Sequence, residues 1–307
     1  MNLRAKISVL PDGHRVHMHD GPIDLIVEAF ADPIEVAASY RDASRRFIDV
    51  LEELCSELPL LRAPMRKGSR LPEGRVARRM AAAVAPYGER TFITPMAAVA
   101  GAVAEEILGT MTSAAVLAKA YVNDGGDIAL HLSDGEDFIV GMVERPDRPS
   151  LVGTMTLDSS QPVRGIATSG WRGRSFSLGI ADAVTVLADC ASSADAAATI
   201  IANAVDLPGH PSVVRVPARS LAPDSDLGGR LVTQGVGELS KDEVGAALDA
   251  GMAMAKALAI EGLIHSAALR LQGETRVVNP IVIPRSVSDE ESVLPAHTAP
   301  DTSIRSR

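Results

Sequence analysis

The chain has 307 residues, a formal net charge of −9 at pH 7, 46% hydrophobic residues and only 3% aromatic residues. This apolar content is that of a globular protein and excludes a wholly disordered chain. The negative charge argues against a nucleic-acid partner, because a general nucleic-acid binder needs a basic surface. No apolar run approaches the roughly 20 residues that span a bilayer, so no membrane partner is expected.

The cysteine content and the start of the chain predict a cellular location. Cys55 and Cys190 are the two cysteines, which fits a reducing compartment and provides no disulfide framework. Residues 1–10 have no signal-peptide core. We therefore expect a cytoplasmic protein.

The chain is expected to begin with three strands, at residues 6–9, 15–19 and 24–29. A Pro-Asp-Gly turn separates the first two strands. Asp32 and Pro33 are typical of a helix start, and the apolar residues behind them recur at helical spacing. They predict one helix over 33–58 that Pro59 ends, followed by a shorter helix over 76–85.

The second part of the chain mixes strands and helices. Thr94 as N-cap and Pro95 as first helical residue predict a helix rich in small residues. Further helices are predicted over 192–205 and 241–264, with an irregular segment over 206–240 between them. The predicted strands lie at residues 120–122, 128–132, 138–143, 151–157, 163–168, 183–188, 267–271 and 275–283.

This order of elements predicts the fold class. Strands and helices come in blocks rather than in the regular alternation of a doubly wound sheet, so an α+β fold with mixed or antiparallel sheets fits better. We expect one domain over 1–284, with N-terminal strands and a helix in 1–90 and the motif-bearing core in 91–284. Residues 285–307 are rich in Ser, Asp, Glu and Pro and are expected to be disordered.

The first candidate binding motif is an Asn-Asp-Gly-Gly-Asp turn between two predicted strands. It contains Asn123, Gly125 and Gly126. Paired glycines let a ligand approach the backbone closely. The alternative is a plain β-hairpin, for which Asp-Gly and Gly-Gly are favoured turn residues.

The second motif runs from a predicted strand into the small residues Gly165–Gly170, with the sequence GIATSG. Successive backbone N–H groups in such a turn can form an anion-binding nest, to which Thr168 and Ser169 add hydroxyl groups. It is not a P-loop, because the Gly-Lys-Ser/Thr ending is missing. A plain polar turn is the alternative.

The third motif places Asp195 and Thr199 four residues apart on a predicted helix, so both oxygen-bearing side chains share one face. A carboxylate and a hydroxyl are ligands suited to Mg²⁺. The alternative is a carboxylate that only complements the helix dipole.

A histidine cluster near the start of the chain includes His14, His17, His19 and Asp20. His17 and His19 face the same side of their strand, and imidazole suits Zn, Cu, Fe or Ni. No partner cluster follows downstream. We therefore expect an exposed strand face rather than a metal site.

The order of the three binding motifs resembles the ApbE family, the FAD:protein FMN transferases. Members of that family carry an Asn-x-Gly-Gly strand turn, a Gly-x-x-x-Ser-Gly segment and an Ala-Asp-Ala-x-Ala-Thr helix. All three occur here in that order. From about Ile23 to Gln272 the chain looks like an uncharacterised branch of the ApbE-like superfamily.

The resemblance implies an ApbE-like fold with FAD in a cleft between two halves of the molecule. Asp195 and Thr199 would be the side-chain ligands of Mg²⁺. The residues implied to bind the cofactor are Asn123, Gly125, Gly126, Gly165, Thr168, Ser169 and Gly170.

The implied reaction is Mg²⁺-dependent FMN transfer. A Ser or Thr hydroxyl of an acceptor protein attacks the FAD pyrophosphate, AMP leaves, and FMN stays attached through a phosphoester. Mg²⁺ suits this chemistry because charge on the phosphoryl oxygens needs neutralising in the transition state. No residue of the chain is nominated as catalytic.

Three departures from the transferase pattern leave a second function open. Ala100 stands where transferases have the lysine of a Lys-Gly-x-x-x-Asp stretch, although Glu105 keeps a carboxylate. Residues 174–179 lack the histidine of a His-x-Ile-x-Pro segment. Trp171 and Tyr121 lie near the motifs, but neither is nominated as a flavin-stacking aromatic. The alternative is a metabolite-binding or accessory protein that keeps the fold without transferring flavin.

Overall fold

The computed structural model describes residues 4–143, 151–279 and 293–294 of the chain. Its strands are β1 (Lys6–Val9), β2 (Val16–Asp20), β3 (Ile23–Phe30), β4 (Lys119–Asp124), β5 (Asp127–Leu132), β6 (Asp137–Val143), β7 (Leu151–Asp158), β8 (Gly165–Ser169), β9 (Ala183–Ala188), β10 (Val213–Pro217), β11 (Leu231–Val236), β12 (Ser266–Leu271), β13 (Glu274–Val278) and β14 (Val293–Leu294). Its helices are α1 (Pro33–Ser56), α2 (Leu58–Leu61), α3 (Arg75–Val84), α4 (Val99–Ala114), α5 (Ala191–Ala204), α6 (Ala218–Leu221) and α7 (Lys241–Ile260). Short 3₁₀ helices lie at Ala85–Tyr87 and Pro95–Ala98.

One large antiparallel sheet organises the molecule. Its nine strands follow the order β1-β2-β3-β4-β5-β8-β9-β12-β13. Strands β6 and β7 form an antiparallel pair that β14 extends in parallel, and β10 pairs with β11. The prediction of an α+β fold with mixed and antiparallel sheets is therefore confirmed.

Different elements pack on the two faces of the large sheet. On one face, α1 and α4 pack over β2 to β5, and α5 and α7 continue the layer over β8, β9 and β12. On the other face, the β6–β7 pair covers Tyr121 and Leu130. Successive residues of a strand point to opposite faces, so Tyr121 joins the β6–β7 cluster while Val122 joins the helical core.

The first helix forms where its local signals predict. The side chain of Asp32 accepts a hydrogen bond from the backbone N–H of Ile34 at 2.9 Å, and Pro33 is the first helical residue. The helix buries one apolar stripe that includes Phe47 and Val50.

Several element predictions are wrong in detail. The single helix predicted over 33–58 ends at Ser56, and Pro59 lies in the first turn of the separate α2 rather than ending a helix. The segment 206–240 contains β10, α6 and β11 instead of being irregular. A proline fits the first turn because the N–H it lacks has no intrahelical partner there.

The predicted start of the small-residue helix also needs correction. Thr94 makes no side-chain cap, and Pro95 opens a 3₁₀ turn before α4 begins at Val99. The Thr94 hydroxyl instead donates a hydrogen bond to the Asp226 carboxylate at 2.5 Å. A distant acidic partner has thus replaced the local capping bond.

Two predicted features fall wholly or partly outside the described residues. The last predicted strand ends at Val278 as β13, and residues 280–283 lie beyond the described range. The predicted tail 285–307 is likewise outside it, except for Val293–Leu294 in β14. Within the described ranges, no helix combines the length and apolar character that crossing a bilayer requires.

Close backbone packing surrounds the start of α5. A Cβ atom at Gly101 of α4 would lie 2.3 Å from the carbonyl oxygen of Ala191, and one at Gly165 of β8 would lie 2.0 Å from the carbonyl carbon of Cys190. Both distances are shorter than any tolerable contact, so these two positions require glycine. Helix α5 is therefore held against both α4 and β8 at backbone-to-backbone distance.

A pair of substitutions on one helix tests this packing. We expect Gly101→Ala to lower the free energy of unfolding by about 1–3 kcal/mol or more, because the added methyl group meets fixed backbone. Gly109→Ala on the same helix is the control, since its Cβ would meet nothing within 4 Å and should raise stability by about 0.5–1 kcal/mol. Urea unfolding measures both, and equal stabilities for the two variants would contradict the packing argument.

Candidate functional site

A cleft of about 910 Å³ opens beside the start of α5. It lies between the segment leading into α4, the β4–β5 turn, the end of β8 with the loop that follows it, and one face of α5. This volume falls within the range of roughly 300–1,000 Å³ that small-molecule and cofactor sites occupy.

Three aspartates from three elements line this cleft. Asp124 ends β4, Asp127 begins β5, and Asp195 lies on α5. Each accepts a backbone N–H bond: Asp124 from Asp24 at 3.4 Å, Asp127 from Thr168 at 3.2 Å, and Asp195 from Gly101 at 3.1 Å. The backbone of neighbouring elements therefore orients all three carboxylates.

The environment of these aspartates favours the protonated carboxyl. Burial raises the pKa of Asp124 to about 8, with a further rise from the charge of Asp127. Burial also raises the pKa of Asp127 and, together with the charges of Asp127 and Asp124, the pKa of Asp195. Raised carboxyl pKa values in a cleft are typical of sites that bind cations or handle protons.

Two arginines lie near the acidic end of the cleft with different roles. The Arg174 guanidinium is 3.9 Å from the Asp124 carboxylate, and its side chain is 56% exposed. Arg172 instead donates to the Asp182 carboxylate at 2.7 Å and stacks over the Trp171 ring at 4.2 Å. Arg174 is therefore the exposed positive charge at this end of the cleft, and Arg172 anchors the loop.

Gly125 is what lets Arg174 lie across the β4–β5 turn. A Cβ atom at Gly125 would be 2.0 Å from the guanidinium nitrogen Nη2 of Arg174, and the residue has a φ of +65°. Both the positive φ and the close approach favour glycine. The turn thus presents its backbone to the cleft.

The structure brings six of the nine residues predicted for the site into the cleft. These six are Gly125, Thr168, Ser169, Gly170, Asp195 and Thr199. Asp195 and Thr199 are one helical turn apart on α5, as their spacing predicts. Their roles as ligands of a cofactor or a metal stay predictions.

The other three predicted residues do not line the cleft and support its walls. The Asn123 side chain accepts a hydrogen bond from the backbone N–H of Gly126 at 2.8 Å, which stabilises the β4–β5 turn. Gly165 allows the contact between β8 and α5. These residues shape the cleft through its backbone.

Sequence patterns missed the aromatic lining of the cleft. Phe92 and Phe176 both line it, and Phe176 is 36% exposed. Of the aromatics near the motifs, Tyr121 is buried and packs edge-to-face on Phe138 with ring centroids 6.0 Å apart. Phe176 lies in the segment 174–179 that lacks the family histidine, and no periodicity marks it.

Asp124 and Asp127 are functional candidates that the sequence motifs do not single out. Both flank the glycines of the Asn-Asp-Gly-Gly-Asp turn, where the motif points to Asn123, Gly125 and Gly126. The sequence signal that could have identified them is their spacing across a tight turn. Asp124 and Asp127 pair with each other there, which brings two carboxylates together at one end of β4 and β5. Asp195 joins them only through the packing of α5.

Acidic and basic side chains also fix the N-terminal end of α5. Glu105 of α4 accepts a hydrogen bond from the backbone N–H of Ser192 at 2.6 Å and is 3.1 Å from the Arg79 guanidinium. The neighbouring Glu106 is fully buried and contacts Arg46 at 2.7 Å and Arg79 at 2.6 Å. A carboxylate at a helix N-terminus is favourable, so Glu105 has a positioning role.

The arrangement of oxygen atoms suits a hydrated divalent cation. The carboxylate oxygens of Asp124, Asp127 and Asp195 do not all lie within 4.8 Å of one another. A single ion would therefore need water or ligand oxygens in its shell. Mg²⁺ usually binds in this way, through one or two carboxylates together with waters and substrate phosphates.

The fold and this cleft define an α+β protein with an acidic cleft next to an exposed arginine. A family model described as "AbpE bacteria" matches residues 7–277. The chain belongs to this family, a branch of the ApbE-like proteins.

Several similar proteins carry the description "UPF0280 protein". A "UPF0280 protein" of Methanococcoides burtonii is 37% identical over 183 residues, which cover 57% of this chain and 73% of that protein. A UPF0280 protein of Methanopyrus kandleri is 39% identical over 143 residues, covering 46% of this chain and 53% of that protein. A third, of Methanocaldococcus jannaschii, is 38% identical over 120 residues, covering 38% and 47%. The chain thus spans about half the length of the second and third relatives.

Among solved structures, the chain is similar to the apo form of Pseudomonas stutzeri flavinyl transferase ApbE. The TM-score is 0.42 and the sequence identity 13%, over 91% of this chain and 97% of that chain. A likeness this distant transfers no site residue.

The raised pKa of Asp124 predicts a pH dependence of stability. The folded protein holds this proton more tightly than the unfolded chain, so the contribution of this carboxyl to stability is greatest at low pH and is lost as the pH rises. Without divalent cations, we expect the free energy of unfolding to fall between about pH 5 and about pH 8, by more than about 1 kcal/mol.

Comparison with Asp124→Asn isolates the contribution of this carboxyl. Its pH profile in chelator-treated buffer should be flatter than that of the natural protein, because the titrating group is gone. Asp249→Asn, on the exposed face of α7, should keep the natural slope. Parallel profiles for the natural protein and Asp124→Asn would contradict the assignment.

Proposed function

We propose that this protein binds FAD or a related phosphate-containing ligand together with Mg²⁺ in the cleft beside α5. The observation that carries this proposal is the convergence of Asp124, Asp127 and Asp195 on one cleft, each oriented by a backbone N–H. Like-charged, poorly solvated carboxylates are costly unless a proton or a cation neutralises them.

The donor set fits Mg²⁺ better than a softer metal. Carboxylate oxygens from the three aspartates and the hydroxyl of Thr199 are hard ligands, and neither cysteine nor histidine lines the cleft in the described part of the chain. Asp195 and Thr199 would hold the ion from α5. Asp124 and Asp127 would approach it from the β4–β5 turn.

The remaining lining fits a ligand with phosphate groups and a flat ring. Arg174 supplies a guanidinium for phosphate oxygens, and Thr168 and Ser169 supply hydroxyls beside the end of β8. Phe176 and Phe92 supply aromatic surface at the same cleft. The charged and aromatic contacts thus match both parts of a flavin nucleotide.

The finer proposal is FMN transfer from FAD to a Ser or Thr hydroxyl of an acceptor protein. A bond forms between the hydroxyl oxygen and the phosphorus of FMN, the bond to the AMP oxygen breaks, and the hydroxyl proton is released. When bound, Mg²⁺ neutralises charge on the phosphoryl oxygens in the transition state. Arg174, which also lines the cleft, would orient and neutralise the same oxygens.

A second candidate function is supported by the uncharged side chain that lines the cleft near the start of α4. Ala100 lines it where transferases carry a lysine, so that position offers a methyl group and no charge. The loop 174–179 presents Arg174 and Phe176 but no histidine. This supports a metabolite-binding or accessory protein that binds its ligand without transferring flavin.

Ligand binding predicts a Mg²⁺-dependent rise in thermal stability. We expect saturating FAD with Mg²⁺ to raise the melting temperature by more than about 3 °C, because a ligand that binds only the folded state stabilises it. Asp195→Asn should lose the part of this rise that depends on Mg²⁺. The asparagine keeps an acceptor for the Gly101 N–H but removes the charge.

Asp249→Asn serves as the matched control, because it makes the same chemical change on an exposed helix face outside the cleft. Its stabilisation by FAD and Mg²⁺ should equal that of the natural protein. No shift with FAD in the natural protein, with or without Mg²⁺, would overturn the proposal of flavin binding.

Release of AMP distinguishes the two candidate functions. If the protein transfers FMN, purified protein with FAD, Mg²⁺ and an acceptor protein should release AMP, measured by chromatography, and Arg174→Ala should slow release by about 10²-fold or more. Arg172→Ala, in the same loop, is the comparison variant. FAD-dependent stabilisation without any AMP release, even with protein acceptors added, would favour the accessory function.

A further inference from the structure

A second cluster of metal-ligating side chains lies outside the cleft, on the hairpin of β2 and β3. His17 and His19 are two residues apart on β2, and His19 pairs directly with Asp24 of β3. The alternation of both strands buries Met18 and Leu25 on one face and leaves the two histidines and Asp24 on the other. None of these three lines the cleft.

The three side chains already stand at metal-binding distance. One ligand atom from each of His17, His19 and Asp24 lies within 4.8 Å of the other two, and the described residues contain no other such group of three. The His17 Nε2 atom and an Asp24 carboxylate oxygen are 2.5 Å apart. The side chains of His17 and Asp24 are 27% and 29% exposed, so an ion can reach them from solvent.

Two members of the histidine cluster considered from sequence do not belong to this group of three. The Asp20 carboxylate is buried and held by the Arg4 guanidinium at 2.5 Å and 3.0 Å. His14 lies in the exposed β1–β2 turn, where its backbone N–H donates to Asp12. The third member of the group is Asp24, which pairs with His19 across the two strands.

The ring of His19 is available for a ligand. Among the described residues, its one ring contact is with the His17 ring, with centroids 6.2 Å apart, and neither of its nitrogens has a hydrogen-bond partner there. His17 already shares a hydrogen bond with Asp24. A metal ion between the three would replace that shared proton and use the free nitrogen of His19.

We propose that His17, His19 and Asp24 form a binding site for a divalent transition-metal ion, with Zn²⁺ as its representative. Two imidazoles and one carboxylate are a common ligand set for zinc, at about 2.0–2.2 Å from the ion. A fourth position remains for water or for an outside group. Mg²⁺ would not be held here, because it prefers oxygen ligands.

Neighbouring charges set how strongly the site can bind. Lys6 of β1 pairs with His19 from the other side, and its exposed ammonium opposes a bound cation unless it turns into solvent. The backbone N–H of Asp24 donates to the cleft carboxylate of Asp124 at 3.4 Å. The two sites therefore touch through the backbone of β3 but use different side chains.

The test is titration of Zn²⁺ alone into tag-free, chelator-treated full-length protein, followed by calorimetry. We expect one equivalent to bind, and Co²⁺ to give a visible absorption band typical of mixed nitrogen and oxygen ligation. The double variant His17→Gln and His19→Gln should bind Zn²⁺ at least about 100-fold more weakly, since loss of even outer contacts costs metal sites 10–100-fold. His14→Gln should bind as the natural protein does.

Further variants separate this site from the cleft. Asp195→Asn should keep the Zn²⁺ affinity unchanged, and an excess of Mg²⁺ should not displace Zn²⁺. Asp24→Asn, which leaves both histidines in place, provides an independent variant and should weaken Zn²⁺ binding and shift the Co²⁺ band. The proposal is overturned if the natural protein binds no Zn²⁺, if the double variant binds it as tightly, or if Asp195→Asn abolishes binding.

Discussion

The backbone contact of α5 with α4 and β8 is the constraint on which the site depends. It is possible only because Gly101 and Gly165 lack side chains at the points of closest approach. The same contact lets the Gly101 N–H donate to the Asp195 carboxylate, so packing and orientation of this aspartate are inseparable. Glu105 then holds the first turn of α5 through the Ser192 N–H. A small shift of α5 would move Asp195 and Thr199 together.

This packing concentrates negative charge at one end of a cleft. Asp124 and Asp127 come from the β4–β5 hairpin and Asp195 from α5. The charge of Asp127 raises the cost of ionising Asp124, and the charges of both raise the cost of ionising Asp195. The exposed Arg174 lies 3.9 Å from Asp124. By contrast, buried Glu106 is paired with two arginines, which lower its pKa despite burial. The contrast separates a paired ion cluster from a cleft whose carboxyl groups have only backbone donors and one exposed arginine beside them among the described residues.

Local chemistry made much of the fold predictable. The Asp32 cap, Pro33 and the apolar stripe of α1 lie within one stretch of chain. The strands around Asn123–Asp127 are predicted by the alternation of apolar residues and by the tight turn between them. The strands β10 and β11 were missed because short, Gly- and Pro-containing segments are stabilised mainly by pairing with each other. Thr94 precedes the helical turn at Pro95 as predicted, but its hydroxyl donates to Asp226, 132 residues away, and makes no capping bond.

The sequence by itself determined the three motifs, their order and hence the family, because these depend on residue identity and short spacing. It also determined that Asp195 and Thr199 share a helix face. Only the tertiary structure decided which residues meet: Gly101 with Asp195 across 94 residues, and Asp127 with Thr168 across 41. It decided that Asn123 and Gly165 build the walls while Arg174 and Phe176 face the cleft. Such contacts follow from how helices and strands pack against one another. The spacing of residues along the chain does not predict that packing.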